Sequence, residues 1–357
     1  MAAMRRAPAG GFVLVMVLAM LVILSILAGT VAATSARLRE EQLERQRDLQ
    51  VQLDMASTQA TVMYLLNTQR MTFGGLTVDD RIALSEDERM AQSRGEDVLS
   101  NMPVGNEIAL DGRGYRGLGD VVFAMRDDRG RLAVNWAPRD VLERFLELHG
   151  FARLPAPTLL NRLLDYQDPD DLYRLNSLER EGYLSRGLPP PTNRTLATPL
   201  ELRRVVGWDE ALGQVEDGLL LNALTTRRSA QVNVNTAPEA VLAALPGMDA
   251  NAARRVVEAR QVQPFTYLPT FFQFVGGVPG SEDALALYPS DSGTLELWAP
   301  ESGTMRVLHW TLTPRDEGGK PWREDYEFTV AKNEAGAGTV PLAPGAAVLA
   351  DAIPAQE

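Results

Sequence analysis

The sequence predicts an α+β fold: one long N-terminal helix packed on an antiparallel sheet, with a large all-α domain inserted into the chain between the strands. Three observations carry this. A run without a single charge extends from Phe12 to Ala33, and neither Pro nor Gly interrupts residues 30–73. Strand-like patterns occur before and after a central block of helical patterns. Within that block a short motif repeats, Asn135-Trp136-Ala137-Pro138 and Asn235-Thr236-Ala237-Pro238, each followed by Val-Leu two residues on.

The apolar run comes first. About 20 apolar residues at ~1.5 Å each cross a hydrocarbon layer of ~30 Å. Arg5 and Arg6 precede it, which places the N-terminus in the cytoplasm and the body on the far side of the membrane. A cleaved signal peptide has a shorter apolar core, ~7–15 residues. On the residues alone a signal peptide, a plain signal anchor and a retained stem all remain open. The helix is predicted to continue to about Arg70. Residues 37–48 are almost wholly polar and read as solvated. Leu49, Leu53, Ala56, Ala60 and Met63 then recur at spacings of 4 and 3, which predicts one buried helix face.

Residues 74–117 read as loops with short elements. Asp120–Val134 reads as two strands joined by a turn at Asp128–Gly130. Helical patterns dominate from Pro138 to Phe274, and strands return at Gly293–Leu297, Met305–Leu312 and Tyr326–Val330. The predicted divisions are therefore a leader 1–11, a membrane stem 12–36, an outer stem 37–70, a first α/β part 71–134, a helical domain of two related halves 135–275, a second α/β part 276–330, and a Gly-, Ala- and Pro-rich tail 331–357 read as disordered.

In the second repeat Thr236 and Glu239 have capping-box spacing, and Pro238 falls in the predicted first helical turn. The stretch to Arg260 reads as helix, tight turn at Pro246-Gly247, helix. It resembles the helix-hairpin-helix of DNA-binding modules, with Arg254, Arg255 and Arg260 within reach of a backbone. The turn lacks a second glycine, however, and Asp249 would repel phosphate. A net charge of −12 is also poor for nucleic acid.

Chemistry is sparse. There is no cysteine and there are two histidines, His149 and His309, so thiolate and His-rich metal sites are excluded. No nucleophile elbow, P-loop, dinucleotide fingerprint or H-E-x-x-H is present; the chain reads as a non-enzyme. His309, beside Trp310 in a predicted strand, reads as a packed residue. The suggestive stretch is Leu164–Tyr183. Asp168, Asp170 and Glu179 have positions 1, 3 and 12 of an EF-hand, but Leu172 and Tyr173 break the pattern. A solvated acidic loop paired with Arg174 and Arg180 and a hard-cation site both remain open.

A resemblance narrows these readings. Gly11-Phe12 at the head of the apolar run resembles the type IV prepilin signal. That implies cleavage after Gly11 by a prepilin peptidase, methylation of Phe12, and retention of the helix as a fibre stem. Met16 stands where most such sequences carry Glu, a departure typical of the K-type minor pseudopilins of type II secretion. Their acidic stretch is similar to Asp165-Tyr166 with Asp168, Asp170 and Asp171, followed by Asn176-Ser177-Leu178-Glu179 and Tyr183; Ser177 stands where Gly is usual. The resemblance implies a pilin-like α/β domain and a Ca²⁺ site drawn from Asp165, Asp168, Asp170, Asp171 and Glu179. It implies a single-pass inner-membrane protein with a periplasmic body that initiates and caps the tip of a pseudopilus. The implied partners are minor pseudopilins of the I, J and H types, through stems and globular domains, together with secreted substrates and no nucleic acid. The alternative is a membrane-anchored DNA-binding protein of a competence-type apparatus.

Overall fold

The computed structural model of the protein describes residues 11–78, 90, 94, 101–149, 154–212, 217–314, 319–332 and 339–340. The predicted leader thus lies, up to residue 10, outside the described residues, as does most of the predicted tail. The chain divides into two units, Met1–Leu53 and Asp54–Glu357.

The first unit holds most of α1 (Gly11–Thr68). Residues 13–50 are exposed throughout, and the run up to Ala33 is apolar on every face, which suits a helix meant for lipid. Thr30 Oγ1 donates to the Leu27 carbonyl at 2.8 Å, and the Thr34 hydroxyl donates to that of Thr30. Both hydroxyls are thereby satisfied inside the helix. The chain has one helix long and apolar enough to cross a membrane among the described residues.

The second unit begins with the last turns of α1, and here the predicted stripe is wrong. Leu49, Leu53, Ala56 and Ala60 are exposed; of that set only Met63 is buried. The buried face is Thr58, Val62, Met63, Leu65 and Leu66, with Met55 packed beside it. Burial follows the dense apolar run at 62–66, whose bulk outweighs the small alanines upstream. The helix ends at Thr68, and a small antiparallel pair follows, β1 (Met71–Thr72) and β2 (Gly75–Leu76).

The main sheet has six strands in the order β11-β10-β9-β4-β3-β12. These are β3 (Asp111–Arg116), β4 (Val122–Asp127), β9 (Ser292–Trp298), β10 (Thr304–Leu312), β11 (Trp322–Ala331) and β12 (Thr339–Val340). All neighbours are antiparallel except β12 with β3. Side chains alternate across the sheet. Phe123, Met125, Leu295, Leu297 and Trp310 share a core with α1. Val122, Ala124, Trp298, Met305 and Val307 face the other way, against Leu221. β9, β10 and β11 cover the strands predicted at Gly293–Leu297, Met305–Leu312 and Tyr326–Val330. β3 lies in the stretch predicted to hold loops with short elements, whereas Ala331 and Thr339–Val340, in the tail predicted to be disordered, belong to strands.

The chain between β4 and β9 forms the helical block. It contains α2 (Arg139–Leu148), α3 (Ala156–Gln167), α4 (Arg180–Leu184), α5 (Trp208–Leu212), α6 (Asp217–Ala223), α7 (Glu239–Ala244), α8 (Ala250–Val262) and α9 (Leu268–Val275). One apolar core runs from Leu132 to Leu285, beyond the predicted limits of 135 and 275. The repeat is structural. β5 (Leu132–Ala133) pairs in parallel with β6 (Leu224–Thr225), and β7 (Val232–Asn233) pairs in parallel with β8 (Leu285–Ala286). Each repeat asparagine then clamps a distant strand of chain. Asn135 Nδ2 donates to the Leu196 carbonyl at 3.1 Å while Leu196 N donates back at 3.3 Å. Asn235 Nδ2 donates to the Phe265 carbonyl, and Phe265 N donates back, both at 2.8 Å. Thr236 does not cap α7. Pro238 is the cap residue, without a side-chain bond, because the Thr236 hydroxyl donates to Asp127 at 2.9 Å.

That bond belongs to a buried junction at the end of β4. Asp127 accepts from Arg129 N, Ser290 N, Ser290 Oγ, Asn233 Nδ2 and Thr236 Oγ1, all within 3.0 Å. Asp128 accepts from Arg131 at 2.5 Å, Thr225 at 3.0 Å, Ser292 at 2.5 Å and His309 at 2.9 Å. Burial alone would raise the Asp128 pKa. Arg131, His309 and Ser292 reverse this and hold it well below the usual carboxylate range. His309 Nδ1 faces Asp325 at 2.8 Å, so both ring nitrogens meet carboxylates, and only the doubly protonated imidazolium donates to both. Burial lowers the His309 pKa, but Asp128 and Asp325 outweigh it and the pKa rises above 6.5. The expectation that His309 is simply packed is therefore incomplete.

This junction predicts a pH dependence. A raised imidazole pKa contributes stability that is complete below 6.5 and is lost as pH rises through the folded value. Asp128 and Asp325, held low, contribute stability that is lost only in strong acid. Denaturant melts of the full chain should therefore weaken from mildly acidic toward alkaline pH. Asp128→Ala should cost about 3–5 kcal/mol, by stranding Arg131 and His309, and should flatten that dependence; a flat wild-type profile would count against it.

Candidate metal centre

The acidic stretch is built by α3, the loop after it, and the start of α4. Asp165 and Asp168 lie three residues apart at the end of α3, so their side chains share a face. Asp165 is fully buried, and Asp168 is the residue that ends the helix. Glu179 stands at the N-cap of α4 but makes no capping bond. It is 1% exposed and lies beside the other two instead. One oxygen from each of Asp165, Asp168 and Glu179 falls within 4.8 Å of the others.

The loop between them is stitched to α3. Asn161 Nδ2 donates to the Leu175 carbonyl at 2.9 Å, Arg162 Nε to that of Asn176 at 3.2 Å, and the Arg174 backbone N–H to Asp165 at 2.9 Å. Asn176 takes a left-handed φ of 60°, which a short amide side chain tolerates. Beneath the cluster Tyr166 and Tyr183 pack with ring centroids 6.1 Å apart, and Tyr183 Oη accepts from Val206 N.

Electrostatically the three carboxylates are under-neutralised. The Arg174 guanidinium bridges Asp165 and Asp168. Burial pushes Asp165 upward, but the Arg174 backbone and guanidinium hold its pKa below the usual range. Glu179 has no such help: burial first, then Asp165 and Asp168, push its pKa up to about 7. Neither Glu179 oxygen receives a hydrogen bond, nor does Asp168 Oδ1. Buried carboxylate oxygens without donors fit a hard cation, which takes oxygen ligands.

Two of the five predicted ligands are not brought in. Asp170 is exposed and its Oδ1 accepts from Leu172 N at 2.9 Å; Asp171 is exposed as well. The remaining sequence candidates fall elsewhere. Gly11 and Phe12 begin α1, and nothing is described of the Phe12 side chain. The hairpin α7–α8 turns at Gly247, φ 80°, and Asp249 caps α8 through Ala252 N at 2.7 Å. Arg260 is buried and donates to the Val234 and Ala237 carbonyls, while Arg254 lies 3.5 Å from Glu239. Of the three arginines read as candidates for a nucleic-acid backbone, Arg260 is thus spent inside the fold.

Comparison with known proteins gives two matches on this body. Residues 122–215 and residues 232–286 each match a family described as type II secretion system (T2SS), protein K. A chain of the crystallised GspK–GspI–GspJ complex from the enterotoxigenic Escherichia coli type 2 secretion system is similar over 82% of this chain and 99% of its own, at 14% identity and a TM-score of 0.45. No curated sequence matches.

Proposed function

We propose that this chain, which matches the type II secretion system protein K family over residues 122–215 and 232–286, is the minor pseudopilin that starts and caps the periplasmic pseudopilus. The observation that carries this reading is the pairing of that protein K body with the uninterrupted 58-residue helix Gly11–Thr68. An apolar stem can bundle with other stems. The helical block, inserted between neighbouring strands β4 and β9, adds bulk that a repeating fibre subunit would have to accommodate at every step; a tip position removes that demand. The work done is assembly and steric capping, without bond chemistry. The stem sits in the inner membrane, the body in the periplasm, and the partners are minor pseudopilins of the I, J and H types.

Two measurements test this. Co-expression with those minor pseudopilins should yield a complex that survives detergent extraction, and deleting the stem should weaken it; a chain that purifies alone under all conditions argues against the reading. Mass spectrometry of the processed protein should find methylated Phe12 at the N-terminus. An end after Ala33 would assign the run to an ordinary signal peptide.

For the metal, Asp165, Asp168 and Glu179 would hold the ion, and calcium suits an all-oxygen set. Bound there, it would supply the charge that Glu179 lacks and tie α3 to α4. At one hundred times its dissociation constant, calcium should stabilise the full chain in detergent by about 2.7 kcal/mol. Asp168→Ala with Glu179→Ala should abolish the shift in melting temperature, and Asp170→Ala should leave it. No shift in the parent chain removes the metal from the account.

A further inference from the structure

Arg174 occupies the place that a cation would take. Its guanidinium contacts Asp165 and Asp168 together, the two carboxylates that α3 presents on one face. Its positive charge therefore serves two of the three acids and leaves Glu179 with none. The buried carboxylate of Glu179, without a donor on either oxygen, is turned toward a slot already filled from the outside.

The route of the guanidinium matters. Arg174 arrives from a surface loop in which Leu172, Tyr173 and Leu175 are all exposed, and its own side chain is 40% exposed. With that much of it already open to solvent, the side chain can turn outward toward water and away from the core. Its backbone contributes separately. The Arg174 N–H bond to Asp165 and the carbonyl bond from Ser177 N keep the loop in place whichever way the side chain points. The remaining anchors, from Asn161 and Arg162, also act on backbone carbonyls.

Geometry also sets what Arg174 cannot do. A guanidinium donates only in its own plane, and here one nitrogen, Nη1, meets both carboxylates. A spherical divalent ion has no such restriction and can take oxygens from all three acids. The same carboxylates cannot serve both at full strength.

We infer that Arg174 is a built-in competitor for this site: divalent cation binding requires its guanidinium to leave Asp165 and Asp168, and it sets how much cation is needed to fill the site. The inference rests on the metal reading above. A site held shut for about nine-tenths of the time binds about tenfold more weakly than the same site held open.

The test uses the full chain in detergent, titrated with calcium chloride by calorimetry, alongside Arg174→Ala and Arg174→Lys. Arg174→Ala should bind calcium about tenfold more tightly than the parent, with Arg174→Lys in between. Phenylglyoxal labelling followed by peptide mass spectrometry gives an independent readout on the parent chain: calcium should increase modification of Arg174 and leave Arg180 unchanged. If calcium binds the parent, yet Arg174→Ala binds no more tightly or labelling of Arg174 does not rise, the competitor role is overturned and the metal site stands. If neither parent nor Arg174→Ala binds calcium, the metal reading itself fails and takes the competitor with it.

Discussion

Two adjacent carboxylates at the end of β4 tie the second unit into one body. A buried charge is tolerated only when it is paired or fully hydrogen-bonded. Asp127 meets this with five neutral donors, Asp128 with an arginine, a histidine and two hydroxyls. The donors come from the first turn after the sheet, from both halves of the helical block, and from β9 and β10. No local folding step can complete the set, because His309 lies 181 residues beyond Asp128. The approach is also close. A Cβ on Gly130 would fall 2.9 Å from the Thr236 backbone, so this turn accepts no side chain. An insertion between two neighbouring strands is a long loop whose closure entropy grows slowly with length. What it needs is a definite seam where it leaves and re-enters the sheet, and Asp127 and Asp128 supply that seam.

Inside the block, side chains do what long helices do elsewhere. Several helices span only five to seven residues, too short to hold themselves in water. The segments between them are gathered by amide and guanidinium groups that donate to backbone carbonyls. Asn135 and Asn235 each hold two distant carbonyls. Arg144 donates to Ala243 at the end of α7 and to Met248 in the following turn. Arg260 collects Val234 and Ala237 from inside the core. Burial lowers the Arg260 pKa to about 10, and it still carries its charge at neutral pH. Arg260, which a linear reading offers to phosphate, is in this way consumed by backbone.

What could be read from the residues alone divides along a physical line. Periodicity and charge reported α1, the strands β9 to β11 and the helical block, because each is long enough for its pattern to exceed noise. The paired Asn-x-Ala-Pro motifs were visible as helix starts, but their second role as clamps was not, since the acceptors lie 30 to 91 residues away. β3 was hidden because Asp111-Gly112-Arg113-Gly114 reads as turn chemistry, and only pairing with β4 makes it a strand. The predicted stripe on α1 failed for a related reason. Helical spacing locates a face, whereas the sheet beneath decides which face is covered. Asp127 and Asp128 carried no signal at all, for two acids at a turn are ordinary on a surface.

The same limit explains why the acidic stretch yielded three gathered residues of five. Helical geometry places Asp165 and Asp168 together, and the path of the loop returns Glu179 to them; Asp170 and Asp171 sit on the outward arc, where Asp170 turns to its own backbone. The result differs in kind from the junction at β4. There, two carboxylates receive nine donors between them and neither has an oxygen to spare. Here one guanidinium serves two of three carboxylates, and burial, with Asp165 and Asp168 beside it, raises Glu179 to about 7. One acidic cluster is completed by the fold itself. The other is completed only in part, by a side chain that reaches in from solvent, which leaves the buried Glu179 with no hydrogen bond to either oxygen.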